Sequence, residues 1–330
     1  MKIYHDSDVD INVLKGKTVA VLGFGSQGRA QALCFRDSGL DVVIGLRKGG
    51  KSWEKAKEDG FKVFEFGDAV KKADVVMMLL PDEVQPKVYK EFVEPNIKEG
   101  AALEFAHGFA ITYKTIVPPK NVDVIMMAPK APGDKERDVF LEGFGVPALV
   151  CVHQDYTGNA MKTALALAKG LGSTRAGVFE TTFDNETLTD LFGEQAVLCG
   201  GTTALIKSGF QVLVDAGYPP EMAYFEVCHE AKLIVDLINE GGFEKMWHVV
   251  SNTAEYGGLV KRDLVITKES EEGMRKILKD IESGKFKDEW TAEWANDLKY
   301  LREIEEKEKD LQIEITGREI RKLFEKKKKN

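Results

Sequence analysis

Two hydrophobic rhythms divide this chain of 330 residues. In the first half, apolar runs at 18–22, 41–45, 75–80, 101–105, 122–127 and 148–152 predict buried strands. Between them, 28–38, 53–58, 86–92 and 159–171 have helical character. Strands whose apolar residues run on without alternating are covered on both faces, and strands separated by helices pair in parallel. This half is expected to be an α/β unit of Rossmann type, a doubly wound parallel sheet. The rhythm changes near residues 177–183, and beyond Asn185 only helical windows remain, at 186–199, 202–216, 220–239, 274–283 and 290–307. Pro219 and Pro220 suit the start of the third. The second domain is expected to be all-α, and the Lys/Glu-rich end, closing on residues 326–329, a solvated helix with a frayed tail.

Composition narrows the classes. At 43% hydrophobic and 30% charged the chain is globular, not disordered. Its longest purely apolar run, 75–80, falls far short of the ~18 residues of a membrane helix, and three Asp occupy the first ten residues in place of a secretory core. A net charge of −8 argues against a sequence-independent grip on nucleic acid. Four cysteines without a CxxC argue against a disulfide framework or zinc knuckle. The expectation is a cytoplasmic protein with neither nucleic-acid nor membrane partners.

Gly23-Phe24-Gly25-Ser26-Gln27-Gly28 is a G-x-G-x-x-G run. Such runs are common, but this one follows a predicted strand and opens a predicted helix, the context in which it binds a dinucleotide. The first Gly permits the turn, the second lets backbone approach the pyrophosphate, and the third allows close helix–strand packing, with the helix N-terminus facing the phosphates. An NAD enzyme places an acid at the end of the second strand; here Arg47, Lys48, Lys51 and Ser52 stand there without an acid. Arg47, Lys48 and Ser52 suit a 2′-phosphate, which predicts NADPH over NADH; the alternative is a solvated basic loop.

The helical half carries Asp190 and Glu194 four residues apart, and Glu226 and Glu230 likewise. Each pair lies on one helix face, in a largely apolar segment with no basic residue just ahead. Acids buried without cations bind metal or stay protonated, and all-oxygen ligation suits Mg²⁺; the alternative is two exposed acidic faces. His229 points around the helix from Glu230 and reads as structural. His107 and Lys130 each follow a strand-like run, where ligand crevices open, and are either site residues or ordinary loop polars. Ser251 reads as a helix N-cap or a turn.

Together with Asp82-Glu83-Val84-Gln85, Ala128-Pro129-Lys130, Phe192-Gly193-Glu194-Gln195, Leu198-Cys199-Gly200-Gly201 and Cys228-His229-Glu230, these segments resemble ketol-acid reductoisomerase in its short, class I form, over about residues 1–327. The resemblance implies a Rossmann domain over 1–181, a knotted helical domain over 182–327 and a tail at 328–330. It implies a homodimer or larger homo-oligomer with a site shared between subunits. By position it implies two Mg²⁺ ions on Asp190, Glu194, Glu226 and Glu230, with His107, Lys130 and Glu230 catalytic and Ser251 binding substrate. NADP(H) would meet Phe24, Gly25, Ser26, Gln27, Arg47, Ser52, Asp82, Glu83, Val84, Gln85 and Gly133.

The family reaction migrates an alkyl group within 2-acetolactate, or 2-aceto-2-hydroxybutanoate, and reduces the product with NADPH in valine and isoleucine synthesis. Ala131, Asp134 and Gly50 depart from the usual family residues; the first two affect the local shape beside Gly133, and Gly50 removes a phosphate donor, so NADH use is open. The competing readings are a metal-independent β-hydroxyacid dehydrogenase type of enzyme and a non-catalytic NADP sensor. The four acids speak against both.

Overall fold

The computed structural model describes residues 1–324. It divides into two compact units, Met1–Thr189 and the remainder from Asp190. The first is built on a sheet of nine strands: β1 (Ile3–Tyr4), β2 (Thr18–Leu22), β3 (Asp41–Leu46), β4 (Lys62–Glu65), β5 (Val75–Met78), β6 (Ala102–Phe105), β7 (Asp123–Pro129), β8 (Ala148–Gln154) and β9 (Val178–Glu180). Their spatial order is β1-β9-β8-β7-β6-β5-β2-β3-β4. Strands β4-β3-β2-β5-β6-β7 are parallel throughout, and the chain reverses its direction of growth between β2 and β5.

The sheet is mixed rather than wholly parallel, because β8 runs antiparallel to β7, and β1 antiparallel to β9. Strands β1, β4 and β9 were not expected: each offers only two consecutive apolar residues, Ile3-Tyr4, Val63-Phe64 and Val178-Phe179, too few to make an apolar run.

Helices α1 (Ser26–Asp37), α2 (Lys51–Glu58), α3 (Phe66–Lys72), α4 (Gln85–Val88), α5 (Phe109–Thr112), α6 (Gly133–Leu141) and α7 (Ala160–Gly170) connect the strands. Burial on both faces explains the unbroken apolar runs. Val19 and Val21 pack with Leu33, Phe35 and Leu167 on one side, while Ala20 and Leu22 pack with Val70, Tyr89 and Ile111 on the other.

The remaining helices are α8 (Phe183–Phe192), α9 (Gly200–Asp215), α10 (Pro220–Tyr224), α11 (Ala231–Val249), α12 (Asn252–Lys261), α13 (Lys268–Glu282), α14 (Lys285–Ala295), α15 (Lys299–Lys309) and α16 (Gln312–Phe324). Among the described residues no strand follows β9, as expected. The window at 290–307 is two helices, since Asp297 and Leu298 take left-handed backbone angles and break the path. The frayed tail at 326–329 lies outside the described residues.

The helical path Phe183–Asp215 is, by length and composition alone, apolar enough to cross a membrane, with a mean hydropathy of 1.4 over its best window. No unbroken apolar run marks it, because scattered polar residues interrupt a stretch that is apolar on average. Only 6% of that window is buried within this chain.

Two carboxyls buried in the first unit have too few partners to stay charged. Glu104 on β6 is fully buried, and its Oε1 accepts only the Met127 N–H at 3.2 Å. Burial pushes it from an ordinary 4.5 up to about 8, against the pull of that bond. Glu136 on α6 is raised to about 8 by burial as well. Above 4.5 the unfolded chain releases protons that the native chain keeps up to about 8, so each group makes stability fall with pH across that window. The slope is about 1.4 kcal/mol per pH unit. Thermal melts of Glu104→Gln should therefore show its midpoint rising relative to the parent between pH 5 and pH 8. An equal difference at both values would contradict an uncharged Glu104.

Candidate active site

The fingerprint loop sits where the fold needs it. β2 ends at Leu22, Gly23 turns the chain with φ at +105°, and α1 begins at Ser26. A Cβ on Gly23 would lie 2.2 Å from the Leu79 carbonyl oxygen, and one on Gly28 would lie 2.6 Å from the Gly23 oxygen. Gly25, by contrast, faces open space. The first and third glycines thus serve packing, and the second leaves room for a ligand to approach backbone.

The other expected nucleotide residues gather at the same edge. Arg47 and Lys48 follow β3 and are exposed, and Ser52 lies on the first turn of α2. Asp82, Glu83 and Val84 follow β5, and the buried Gln85 donates from Nε2 to the Leu80 oxygen (2.8 Å) and to Asp82 (3.2 Å). Gly133 opens α6 directly against the loop, since a Cβ there would come within 2.4 Å of the Ser26 oxygen. Gln27 Nε2 donates to the Ala131 oxygen at 2.8 Å and ties α1 to the same connection. Of the departures from the family pattern, Ala131 therefore acts through its backbone, and exposed Asp134 lines an open cleft with Phe24, Ser26 and Arg29. All these groups lie at the carboxyl ends of parallel strands around the point where the order reverses, the usual ligand crevice of such sheets.

His107 and Lys130 leave the ends of β6 and β7 and meet on one acid that the sequence reading did not single out. Glu186, on the first turn of α8, is 1% exposed. Its Oε1 accepts from Lys130 Nζ at 2.7 Å, and its Oε2 lies 3.0 Å from His107 Nδ1 and accepts the Gly108 N–H at 3.0 Å. Burial opposes ionisation, but the His107 hydrogen bond and the His107 and Lys130 charges outweigh it, holding the carboxyl below the usual glutamate range. Gly108 makes room for α8: a Cβ there would lie 2.3 Å from Thr187 Oγ1.

The second unit carries the expected metal ligands. Asp190 lies one turn beyond Glu186 on α8, and Glu194 lies in the π-helical turn Gly193–Leu198. Glu226 lies in a second π-helical turn, Phe225–His229, and Glu230 follows it. α9, which continues from the first turn, packs against α10 and the second turn. Such turns are rare and recur at functional sites. Contrary to the expectation of buried acids, Glu194, Glu226 and Glu230 are exposed in this chain and Asp190 is half-buried: the buried side of these turns is taken by Leu191, Ala196, Ala223 and Tyr224, and the acids stand on the other side. Among the described residues the four do not gather into one ligand cluster; as carboxylates they are hard oxygen donors of the kind that suits Mg²⁺. His229 stacks on Phe324, in keeping with a structural role. Ser251 caps α12, accepting the Ala254 N–H at 3.2 Å.

A fingerprint loop at the carboxyl edge of a β3-2-5-type sheet, followed by a helical unit, defines a dinucleotide-linked enzyme of the Rossmann class. The first half, residues 13–177, matches the family model "acetohydroxy acid isomeroreductase, NADPH-binding domain", and residues 183–326 match "ketol-acid reductoisomerase, C-terminal domain". The chain belongs to the ketol-acid reductoisomerase family. It is 59% identical to the ketol-acid reductoisomerase (NADP(+)) of Pyrobaculum calidifontis and 55% to that of Methanococcus maripaludis, over 98% of both chains in each case. Among solved structures it is similar to an NADH-preferring ketol-acid reductoisomerase from an uncultured archaeon (TM-score 0.96, 54% identity), covering 99% of this chain and 100% of that one.

Glu186 looked in the sequence like an ordinary acid of a helix's first turn. Its isosteric variant Glu186→Gln should retain cofactor binding but lower turnover roughly 10²-fold, because Lys130 and His107 lose the charge that gathers them. Steady-state kinetics beside a cofactor titration checks this, and an unchanged kcat would contradict it.

Proposed function

We propose that the chain is an Mg²⁺-dependent, NADP-linked ketol-acid reductoisomerase of the cytoplasm, with residues 1–181 as nucleotide domain and 182–327 as helical domain. It converts 2-acetolactate to 2,3-dihydroxy-3-methylbutanoate, and 2-aceto-2-hydroxybutanoate to its ethyl homologue. The observation that carries this reading is the presence, in one family-matched chain, of a fingerprint loop and four carboxylates on two helices interrupted by π turns.

Asp190, Glu194, Glu226 and Glu230 would hold the two ions. Magnesium bound there would acidify the tertiary hydroxyl and polarise the neighbouring carbonyl, the two demands of alkyl migration. Glu230 takes the hydroxyl proton and returns it. Lys130 and His107, gathered by Glu186, present donors and positive charge to the oxygen that becomes negative. Ser251 offers its hydroxyl to the substrate.

The fingerprint loop, the 82–85 segment and Gly133 cradle the dinucleotide, whose nicotinamide supplies hydride. Arg47 and Lys48 make no ion pair among the described residues, and with Ser52 they suit the 2′-phosphate. These three groups favour NADPH, while Gly50 supplies no side-chain donor and so leaves NADH use open; a similar protein prefers NADH.

The same reading makes the protein a homodimer or larger homo-oligomer whose subunits share the active site. Supporting this, Leu205, Val212, Leu233 and Val235 are all more than half exposed in a single chain, apolar side chains that a partner subunit would cover.

Purified protein should oxidise NADPH when given 2-acetolactate, lose that activity to a chelator and regain it with Mg²⁺. Oxidation indifferent to metal would overturn the reading. Glu230→Gln should lose at least ~10²-fold in rate. Light scattering without detergent should give at least twice the chain mass of 36.7 kDa; a soluble monomer would contradict the shared site, and dependence on detergent would favour a membrane.

A further inference from the structure

The helix that closes the described chain lies against the acidic turn. α16 packs on α10, where Ile313 and Ile320 join Phe210, Ala223 and Tyr224 in the small core of the second unit. Gly317 lets the Tyr224 ring sit against the helix: a Cβ there would lie 2.5 Å from Tyr224 Cε2. Arg321 Nη1 donates to the Tyr224 hydroxyl at 2.9 Å, and its Nη2 donates to Glu314 at 3.2 Å. Directly after Tyr224 the chain enters the π turn Phe225–His229. The Phe324 ring stacks on His229 (centroids 5.5 Å apart, 24° between planes) and meets Phe225 edge-on at 6.3 Å.

Tyr224, Phe225 and His229 thus all bear on α16, and between them stands Glu226, with Glu230 next in the chain. A π turn closes a wider ring than an α-helix and persists where its surroundings hold it. We infer that α16 is a positioning strap for the acidic turn, with Arg321 and Phe324 fixing the direction in which Glu226 and Glu230 meet a divalent cation. Neither residue is a metal ligand. The inference rests on the metal site proposed above; it adds residues up to about 100 positions away whose only route to the ion is through the turn they brace.

The test is the thermal midpoint of the full-length protein across an Mg²⁺ titration, which yields a Kd from the metal-dependent rise. Tyr224→Phe, Arg321→Met and Phe324→Ala should each weaken Mg²⁺ binding about 10-fold, the usual cost of losing a group that orients a ligand. Arg321→Lys, which keeps a donor and the charge, should recover part of that loss. NADPH binding, which belongs to the first unit, should not change. Variants that lower only the metal-free midpoint, and keep the parental Kd for Mg²⁺, would show α16 to be ordinary packing and overturn the strap. Glu226→Gln separates the two levels. If the parent shows no Mg²⁺-dependent rise, or Glu226→Gln retains it, the metal site itself fails and the strap fails with it. If Glu226→Gln loses the rise while the three strap variants bind as the parent does, the strap alone is wrong.

Discussion

A carboxylate removed from water stays ionised only where donors and positive charge replace the water, and in this protein that condition is met at Glu186. Lys130, His107 and the Gly108 N–H converge on its two oxygens. The acid is nearly unexposed, so removing its partners would leave a desolvated charge, and removing the acid would take from Lys130 and His107 the carboxylate they share. Its position binds the carboxyl ends of β6 and β7 to the first turn of α8, and Gly108 allows the approach. Glu104 and Glu136 are the contrasting case in the same unit. Equally buried but without cations, they are held near pH 8 and stay uncharged.

The nucleotide loop obeys a steric constraint of the same kind. Gly23 and Gly28 are fixed by backbone oxygens that leave no room for a methyl group, while Gly25 looks onto open space. Gly133 extends that tight packing to α6. The loop is therefore held rigidly from below and left open above, the arrangement that presents backbone N–H groups to a phosphate without further rearrangement.

Much of this was legible in the sequence. The continuous apolar runs marked the central strands because both faces of the sheet are covered, and the loop was recognisable because strand and helix flank it. The acid pairs at i, i+4 were visible as such. Glu186 was not, since its burial is made by residues 56 and 79 positions away and nothing local distinguishes it from a helix-capping acid. The π turns leave no trace in hydrophobic periodicity, because one extra residue shifts the pattern less than the scatter of the pattern itself. Exposure of Glu194, Glu226 and Glu230 contradicts an inference drawn from apolar neighbours: Leu191, Ala196, Ala223 and Tyr224 are buried on one side of each turn, while the acids face the other.

On the proposed function, four carboxylates of the second unit would hold a pair of divalent ions for an isomerisation that the first unit completes by reduction. Anomalous diffraction from crystals equilibrated with Mn²⁺, a hard cation that reports its own position, tests it most directly. The account predicts two anomalous peaks bounded by Asp190, Glu194, Glu226 and Glu230, both lost in Glu226→Gln. Full turnover with Mn²⁺ and no peak among those residues would contradict it.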